Sequence, residues 1–241
     1  MFIHVLPGDA QVEVFRSSGI EGEMLVCREA LVDGDISGDT LDEFLINRAS
    51  FMNGAYEEDP ANYNVRVASQ FRRLLEADVG DEVNLWFEYE LFCSVNMWFC
   101  LDLLSRTEAD IYRVAPAYLN QQHRWDGFGG ATTDNLRSCF DERIKFTSDD
   151  IRLGADLWQA FRKKDAERLS TLSANARPTF PYLAEVGRAA AEKETLPAVI
   201  VSEIEGEGIN NFNEIFLEFR RRAGVFGYGD SQVKSLMAGR L

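Results

Sequence analysis

Residues 82–104 read EVNLWFEYELFCSVNMWFCLDLL, and this stretch indicates the fold class. Its first part, Glu82–Phe87, has the aliphatic and aromatic composition typical of a buried strand. Residues 89–104 continue with an almost unbroken apolar sequence, which predicts a helix that is buried on nearly every side. A buried strand followed at once by a buried helix is the repeating unit of an α/β fold with a parallel sheet.

The same alternation of strand and helix continues through the N-terminal half of the chain. Short apolar runs bounded by turn residues predict strands at residues 2–6, 23–27, 82–87 and 110–114. Helical periodicity predicts helices at residues 10–18, 39–52, 62–77 and 89–104. The predicted fold is therefore a small parallel sheet of about four strands with flanking helices.

The C-terminal half shows helical periodicity and no strand pattern. Its predicted helices cover residues 133–146, 148–163, 166–174, 182–192, 211–222 and 230–238. A glycine-containing turn separates the last two, which favours a winged-helix-like unit at the C-terminal end. The change of pattern falls in the polar stretch 120–133. We therefore predict two domains, an α/β domain at residues 1–124 and a helical domain at residues 125–241.

The composition is globular, but the charge is strongly acidic and uneven. The chain has 241 residues, of which 46% are hydrophobic and 27% charged, and its formal net charge is −15. Residues 1–127 carry 23 acidic and 9 basic side chains, whereas residues 128–241 carry 17 acidic and 16 basic ones. Because acidic surfaces repel phosphates, we do not expect the N-terminal domain to bind nucleic acid. A cation or a basic protein partner suits it better.

Several classes of site and location lack their sequence signals. No apolar run approaches the roughly 20 residues that a membrane helix needs, and Met1–Pro7 has no features of a signal peptide. The four cysteines form no CxxC pair, so we expect buried reduced thiols and a cytoplasmic protein. No GxGxxG motif follows the first strand and no GxxxxGK[ST] motif occurs, so no nucleotide cofactor is indicated.

Polar residues follow the predicted strands at the edge where open parallel sheets bind their ligands. The residues after the first three strands are Gly8, Asp9, Arg28, Glu29, Glu88 and Glu90. Carboxylates that converge at such an edge bind a divalent cation or raise one another's pKa. The possible metal ligands are Asp9, Glu29, Glu88 and Glu90. Alternatively, they cap helices and form salt bridges with Arg28 and Arg48.

Two other features have both a structural and a functional interpretation. His4 lies within the first predicted strand. It is either a hydrogen-bonded structural histidine or a catalytic one. The basic run at residues 220–222 ends a predicted helix, where it complements the helix dipole. Alternatively, this run contacts phosphate as part of a helix-turn-helix module.

Five segments of the chain carry a resemblance to a known family. They are IHVLPGD (3–9), GEMLVCREAL (22–31), LWFEYELF (85–92), WDGFGG (125–130) and DERIKFTSDDIRLGADLWQAF (141–161). Together they resemble the bacterial family named domain of unknown function 1835, which implies an α/β fold with a helical C-terminal region but no activity. The ligand-binding candidates that the resemblance implies are His4, Gly8, Asp9, Arg28, Glu29, Arg48, Trp86, Glu88 and Glu90. The chain departs from the family at Tyr89, where a histidine is common.

The sequence leaves open whether the protein is an enzyme, and three functions remain. The first is a small-ligand-binding or regulatory module, which binds a polar ligand at the strand edge and contacts a protein or nucleic acid through its C-terminal unit. The second is a metal-assisted hydrolase or transferase in which the clustered carboxylates hold a divalent cation. The third is a non-catalytic interaction domain for a basic protein. Convergence of the four carboxylates in one pocket would favour the second.

Overall fold

Five strands form a single sheet in the computed structural model of the chain, which describes residues 1–239. They are β1 (Phe2–Leu6), β2 (Glu23–Val26), β3 (Glu82–Trp86), β4 (Asp110–Val114) and β5 (Ile144–Lys145). The order is β2-β1-β3-β4-β5, with β1 to β4 parallel and β5 antiparallel to β4. The predicted α/β fold is confirmed. The sequence pattern assigns residues 144–145 to the end of the predicted helix 133–146, which is wrong, because two residues are too few to give a strand period.

Helices surround the sheet and build most of the C-terminal half. The first are α1 (Val12–Ser18), α2 (Leu41–Tyr56), α3 (Pro60–Tyr63), a π-helical turn (Asn64–Ala68), α4 (Ser69–Leu74) and α5 (Leu91–Leu104). The later ones are α6 (Thr133–Asp141), α7 (Ser148–Arg162), α8 (Ala166–Ser173), α9 (Leu183–Glu192), α10 (Leu196–Gly206), α11 (Phe212–Ala223) and α12 (Asp230–Met237). The sequence pattern misses α10, which contains a run of β-branched residues with low helix propensity.

The two faces of the sheet are covered by different helices. On one face, Leu6, Trp86 and Val114 pack with residues of α1 and α6. On the other face, Val5 and Leu85 belong to a larger core that includes nearly all of α5. This burial of α5 agrees with its uniformly apolar sequence.

The C-terminal half packs onto this framework as a further layer. Helix α7 lies against α5, and Gly154 permits the close approach because a Cβ there would lie 2.4 Å from Cδ1 of Leu101. The larger core therefore includes residues of both halves, such as Leu85 and Phe219. The domain boundary at residues 124/125 stays a prediction.

The C-terminal end is helical throughout its described part. Between residues 146 and 239, the β pairing consists of a single isolated bridge that joins Arg177 to Phe180. The winged-helix-like unit therefore stays a prediction. Among the helices of residues 1–239, none is long and apolar enough to cross a membrane.

Candidate functional site

A cavity of about 230 Å³ lies between the carboxyl end of β3 and the segment that joins α11 to α12. Glu88 and Glu90, from the turn between β3 and α5, form one side. The aromatic residues in its walls are Trp125, Phe216, Phe219 and Tyr228. The cavity lies at the carboxyl edge of the sheet, where open α/β sheets bind their ligands, and it borders the end of β3 and the segment after β4.

The two glutamates are held by backbone amides and not by basic side chains. Glu90 is the N-cap residue of α5, and its carboxylate accepts a hydrogen bond from the backbone N–H of Cys93 at 2.9 Å. Glu88 accepts one from the backbone N–H of Phe128 at 2.6 Å. Within residues 1–239, no basic side chain forms a salt bridge with either carboxylate. The buried guanidinium of Arg113 donates to the backbone oxygen of Glu88 at 3.2 Å and interacts electrostatically with Glu90, but it forms no salt bridge with either carboxylate.

Burial makes both carboxyl groups hard to ionise. Burial, and then repulsion from Glu88, raises the pKa of Glu90 to about 8. Burial also raises the pKa of Glu88, although the hydrogen bond from Phe128 opposes this shift. At neutral pH the pair of carboxyl groups therefore keeps a proton.

Two glycines make room for these carboxylates. Gly127 and Gly227 have φ angles of +66° and +68°, a conformation that glycine adopts without strain. A Cβ at Gly127 would lie 2.1 Å from Cδ of Glu88, and one at Gly227 would lie 2.5 Å from Cδ of Glu90. The loops before α6 and before α12 can therefore close on the site only if these positions lack a side chain.

A thiol lies beside the carboxylates. Glu88, Glu90 and Cys93 each offer one ligand atom, and these three atoms all lie within 4.8 Å of one another. Such a group could hold a metal ion. The Sγ of Cys93 is 3.9 Å from Oε2 of Glu88. Burial raises the pKa of the Cys93 thiol well above its ordinary value. A metal ion at this position would have to displace the thiol proton.

The opening of the cavity carries a compensated charge pair. Arg220 lies 3.3 Å from Asp126, whose other oxygen is 2.7 Å from the ring nitrogen Nδ1 of His123. The guanidinium of Arg124 lies 4.7 Å above the ring of Trp125 and fixes that wall. Glu88 and Glu90 are therefore the acidic residues of the lining that form no salt bridge.

Asp9 and Arg28 pair with each other at another place on the sheet edge. Nε of Arg28 donates to both carboxylate oxygens of Asp9 at 2.9 Å, and Arg66 donates to Oδ2 at 3.2 Å. The Arg28 hydrogen bond holds the pKa of Asp9 below its ordinary range. Gly8 has an extended backbone just before the short helical turn that begins at Asp9. This group ties the ends of β1 and β2 to the π-helical turn.

Glu29 and Arg48 form a separate buried network. Arg48 donates to Glu29, to Asp33 O at 2.7 Å and to Asp35 O at 3.1 Å. The Tyr63 hydroxyl donates to the other oxygen of Glu29. The network fixes the loop between β2 and α2.

His4 and Trp86 form a hydrogen-bonded pair inside the smaller core. The indole N–H of Trp86 donates to Nδ1 of His4 at 3.1 Å, and Nε2 of His4 lies 3.1 Å from Glu21 O. Burial lowers the pKa of His4. Both ring nitrogens are used within the protein, which agrees with the structural interpretation of this histidine.

The structure thus divides the predicted site residues among several places. Of the four proposed metal ligands, Glu88 and Glu90 lie together, whereas Asp9 and Glu29 are each bound by arginines elsewhere. The arginines of the basic run 220–222 form ion pairs within the protein. Arg221 pairs with Glu218, and Arg222 pairs with both Glu207 and Glu218.

Sequence reasoning missed the cavity walls and Cys93. The segment GVFGYG (224–229) looks like a simple turn between helices, and WDGFGG (125–130) looks like a hinge. The dense mixture of glycine and aromatic residues in both segments is the signal that was present. Such a mixture is typical of loops whose backbone approaches another group closely.

The comparisons with known proteins give no relative for this chain. No family model matches it, and no curated protein or solved structure matches it significantly. The resemblance to the domain of unknown function 1835 family therefore stays a prediction.

Proposed function

We propose that this protein is a small-ligand-binding module that binds a positively charged ligand in the cavity beside Glu88 and Glu90. One observation carries the proposal: Glu90 is 4% exposed, borders an open cavity and forms no salt bridge among the described residues. A buried carboxyl group without a salt bridge is costly to ionise, so a cation that enters the cavity supplies a direct ion pair that the protein lacks.

The position of the cavity supports a ligand site over a structural void. It lies at the carboxyl edge of the sheet, and several chain segments contribute to it. The regulatory role, in which the C-terminal helices contact a protein or nucleic acid, is a further part of this proposal. Since α11 and the segment that joins it to α12 border the cavity, a ligand there contacts the unit that would report its binding.

The test is thermal unfolding of the parental protein and three variants in a panel of cations. The panel contains Na⁺, K⁺, Mg²⁺, Zn²⁺ and small organic cations. Glu88→Gln and Glu90→Gln remove the charge but keep an oxygen for the amide N–H groups, and exposed Glu205→Gln is the matched control. A ligand at about 100 times its Kd stabilises by roughly 2.7 kcal/mol.

We expect at least one cation to stabilise the parental protein and the Glu205→Gln variant, and to lose this effect in both cavity variants. If no cation stabilises the protein, or if the effect persists in both cavity variants, the proposal is wrong.

A second candidate function is metal-assisted hydrolysis or group transfer. It is favoured by the grouping of Cys93 with Glu88 and Glu90, because a thiolate and two carboxylates are a donor set that suits Zn²⁺. It ranks below the first because the metal must displace the proton of the buried Cys93 thiol, whose pKa is raised, in addition to the proton of the carboxyl pair. Equilibrium dialysis with Zn²⁺ tests it: binding that Cys93→Ser abolishes supports it, and binding unaffected by that change contradicts it.

A further inference from the structure

We propose that the ligand of this cavity is an organic cation that carries N–H donors, an ammonium or guanidinium group on a short apolar body. This proposal rests on the proposed function, because it names the chemical class of the cation that Glu88 and Glu90 bind. A metal ion is the competing class.

The aromatic walls carry the first step of the argument. Trp125, Phe216, Phe219 and Tyr228 all border the cavity that the carboxylates close on one side. The face of an aromatic ring attracts a cation, and its apolar surface gains free energy when it covers an aliphatic chain. A hydrated metal ion uses neither property. The combination of four aromatic residues with two carboxylates therefore fits an organic cation better.

The walls are held in place before a ligand arrives. The rings of Phe219 and Tyr228 are stacked, with centroids 6.1 Å apart and an interplanar angle of 13°. The ring of Trp125 contacts both the Arg124 guanidinium, at 4.7 Å, and the ring of Tyr182, at 5.4 Å. Binding therefore requires little new ordering of side chains, which favours affinity for a small ligand.

The carboxylates determine which organic cation fits. Each ionised carboxylate has about four acceptor positions, and a single backbone N–H occupies part of this capacity at Glu88 and at Glu90. An ammonium group offers three donors and a guanidinium group five, so either can use the remaining positions. A quaternary ammonium ion has no donor and would leave them unpaired.

The experiment compares three ligands that have equal numbers of heavy atoms. They are n-butylammonium, which has charge and donors, tetramethylammonium, which has charge alone, and 1-butanol, which is neutral. Each is titrated into the millimolar range against the full chain, with Zn²⁺ alone as a fourth titrant. Binding is followed by calorimetry and by tryptophan fluorescence. Trp125 borders the cavity whereas the other three tryptophans are fully buried, so the Trp125→Phe variant identifies the source of a fluorescence change.

The variants separate the roles of charge and aromatic wall. Glu90→Gln removes the charge, and Phe216→Leu removes a ring that is only partly buried, so neither should prevent folding. Phe51→Leu, which removes another partly buried ring outside the cavity lining, is the control for Phe216→Leu. Circular dichroism verifies that each variant is folded.

We expect n-butylammonium to bind at least tenfold more tightly than either comparator. We expect Glu90→Gln to abolish this binding, and Phe216→Leu to weaken it about threefold to tenfold while Phe51→Leu does not. If Zn²⁺ binds in a Glu90-dependent way and n-butylammonium does not, the organic-cation proposal is wrong but the cation site is retained. Binding of tetramethylammonium as tight as that of n-butylammonium also overturns the donor requirement. If no titrant binds, both proposals are wrong.

Discussion

Arg48 donates two hydrogen bonds to the same carboxylate oxygen of Glu29, at 2.6 Å from one terminal nitrogen and 3.1 Å from Nε. Both side chains are completely removed from solvent. The remaining oxygen of Glu29 accepts from Tyr63, and Arg48 also holds the carbonyl groups of the loop that follows β2. Such a pair is expensive to break, because either partner alone would be a buried charge without compensation.

The first prediction concerns this pair. Arg48→Met should reduce the free energy of unfolding by about 3 to 5 kcal/mol, because it leaves Glu29 buried without its cation. The control is Arg72→Met, since Arg72 forms an exposed pair with Asp42 that is expected to contribute less than about 1 kcal/mol. Urea unfolding of both variants measures the difference. Equal losses in the two variants would contradict a structural role for the buried pair.

The second prediction concerns the pH dependence of stability. The pKa of Glu90 rises from an ordinary value of 4.5 in the unfolded chain to about 8 in the folded one. The folded protein therefore binds a proton that the unfolded chain releases, so this contribution to stability is complete below pH 4.5 and is lost as the pH rises to about 8. Since one pKa unit corresponds to about 1.4 kcal/mol, the loss should amount to a few kcal/mol.

Thermal unfolding between pH 5 and pH 9, without added ligand, measures this effect. The parental protein and Glu205→Gln should lose stability over this range, and Glu90→Gln should lose clearly less. At pH 9 the Glu90→Gln variant should be the more stable protein. Identical pH profiles for all three proteins would show that Glu90 does not carry the shift.

The third prediction concerns the two glycines at the cavity. Gly127→Ala and Gly227→Ala each place a residue with a Cβ at a positive φ, which costs roughly 1 to 2 kcal/mol. The new Cβ would also clash with Glu88 in the first variant and with Glu90 in the second. Gly19→Ala is the matched control, because Gly19 has a φ of +73° and open space where the Cβ would be. Both cavity variants should be less stable than the control and should lose ligand binding. Binding that survives in both would place the ligand elsewhere.

The fourth prediction concerns the protonation state of His4. Because the indole N–H of Trp86 can only donate, Nδ1 of His4 must accept, and the ring proton lies on Nε2, from which it donates to Glu21 O. Burial lowers the pKa of His4 below its ordinary value of 6.5. The ring should therefore be neutral at pH 6.5. Its contribution to stability is complete above pH 6.5 and is lost as the pH falls through the lowered pKa.

Long-range ¹H–¹⁵N spectra recorded over a pH series give both the tautomer and the charge of this ring. The chain contains one other histidine, so a His123→Gln variant assigns the signals. A charged His4 ring at pH 6.5, or a proton on Nδ1, would contradict the structural interpretation.

The sequence alone determined the order and type of most elements. The short apolar runs of β1 to β4 and the apolar sequence of α5 are local patterns. Such a pattern indicates the secondary structure of its segment wherever that segment lies in the fold. The parallel sheet followed from the same patterns, because strands separated by helices need crossover connections. Two elements, β5 and α10, were not predicted. The strand β5 is too short to give a local signal, and α10 contains β-branched residues with low helix propensity.

The sequence also predicted that Glu88 and Glu90 follow a buried strand at the ligand-binding edge, but it treated Asp9 and Glu29 as their equals. Only the tertiary structure decided that Arg28 binds Asp9 and that Arg48 binds Glu29. Glu88 and Glu90 form no salt bridge among the described residues, and they border the same cavity as the aromatic residues of α11 and the following loop. These pairings join segments that are far apart in the chain, and no local period encodes which of several carboxylates a distant side chain will reach. The pKa values of these carboxylates, and therefore the chemistry available to them, depend on those contacts and on burial in the folded chain.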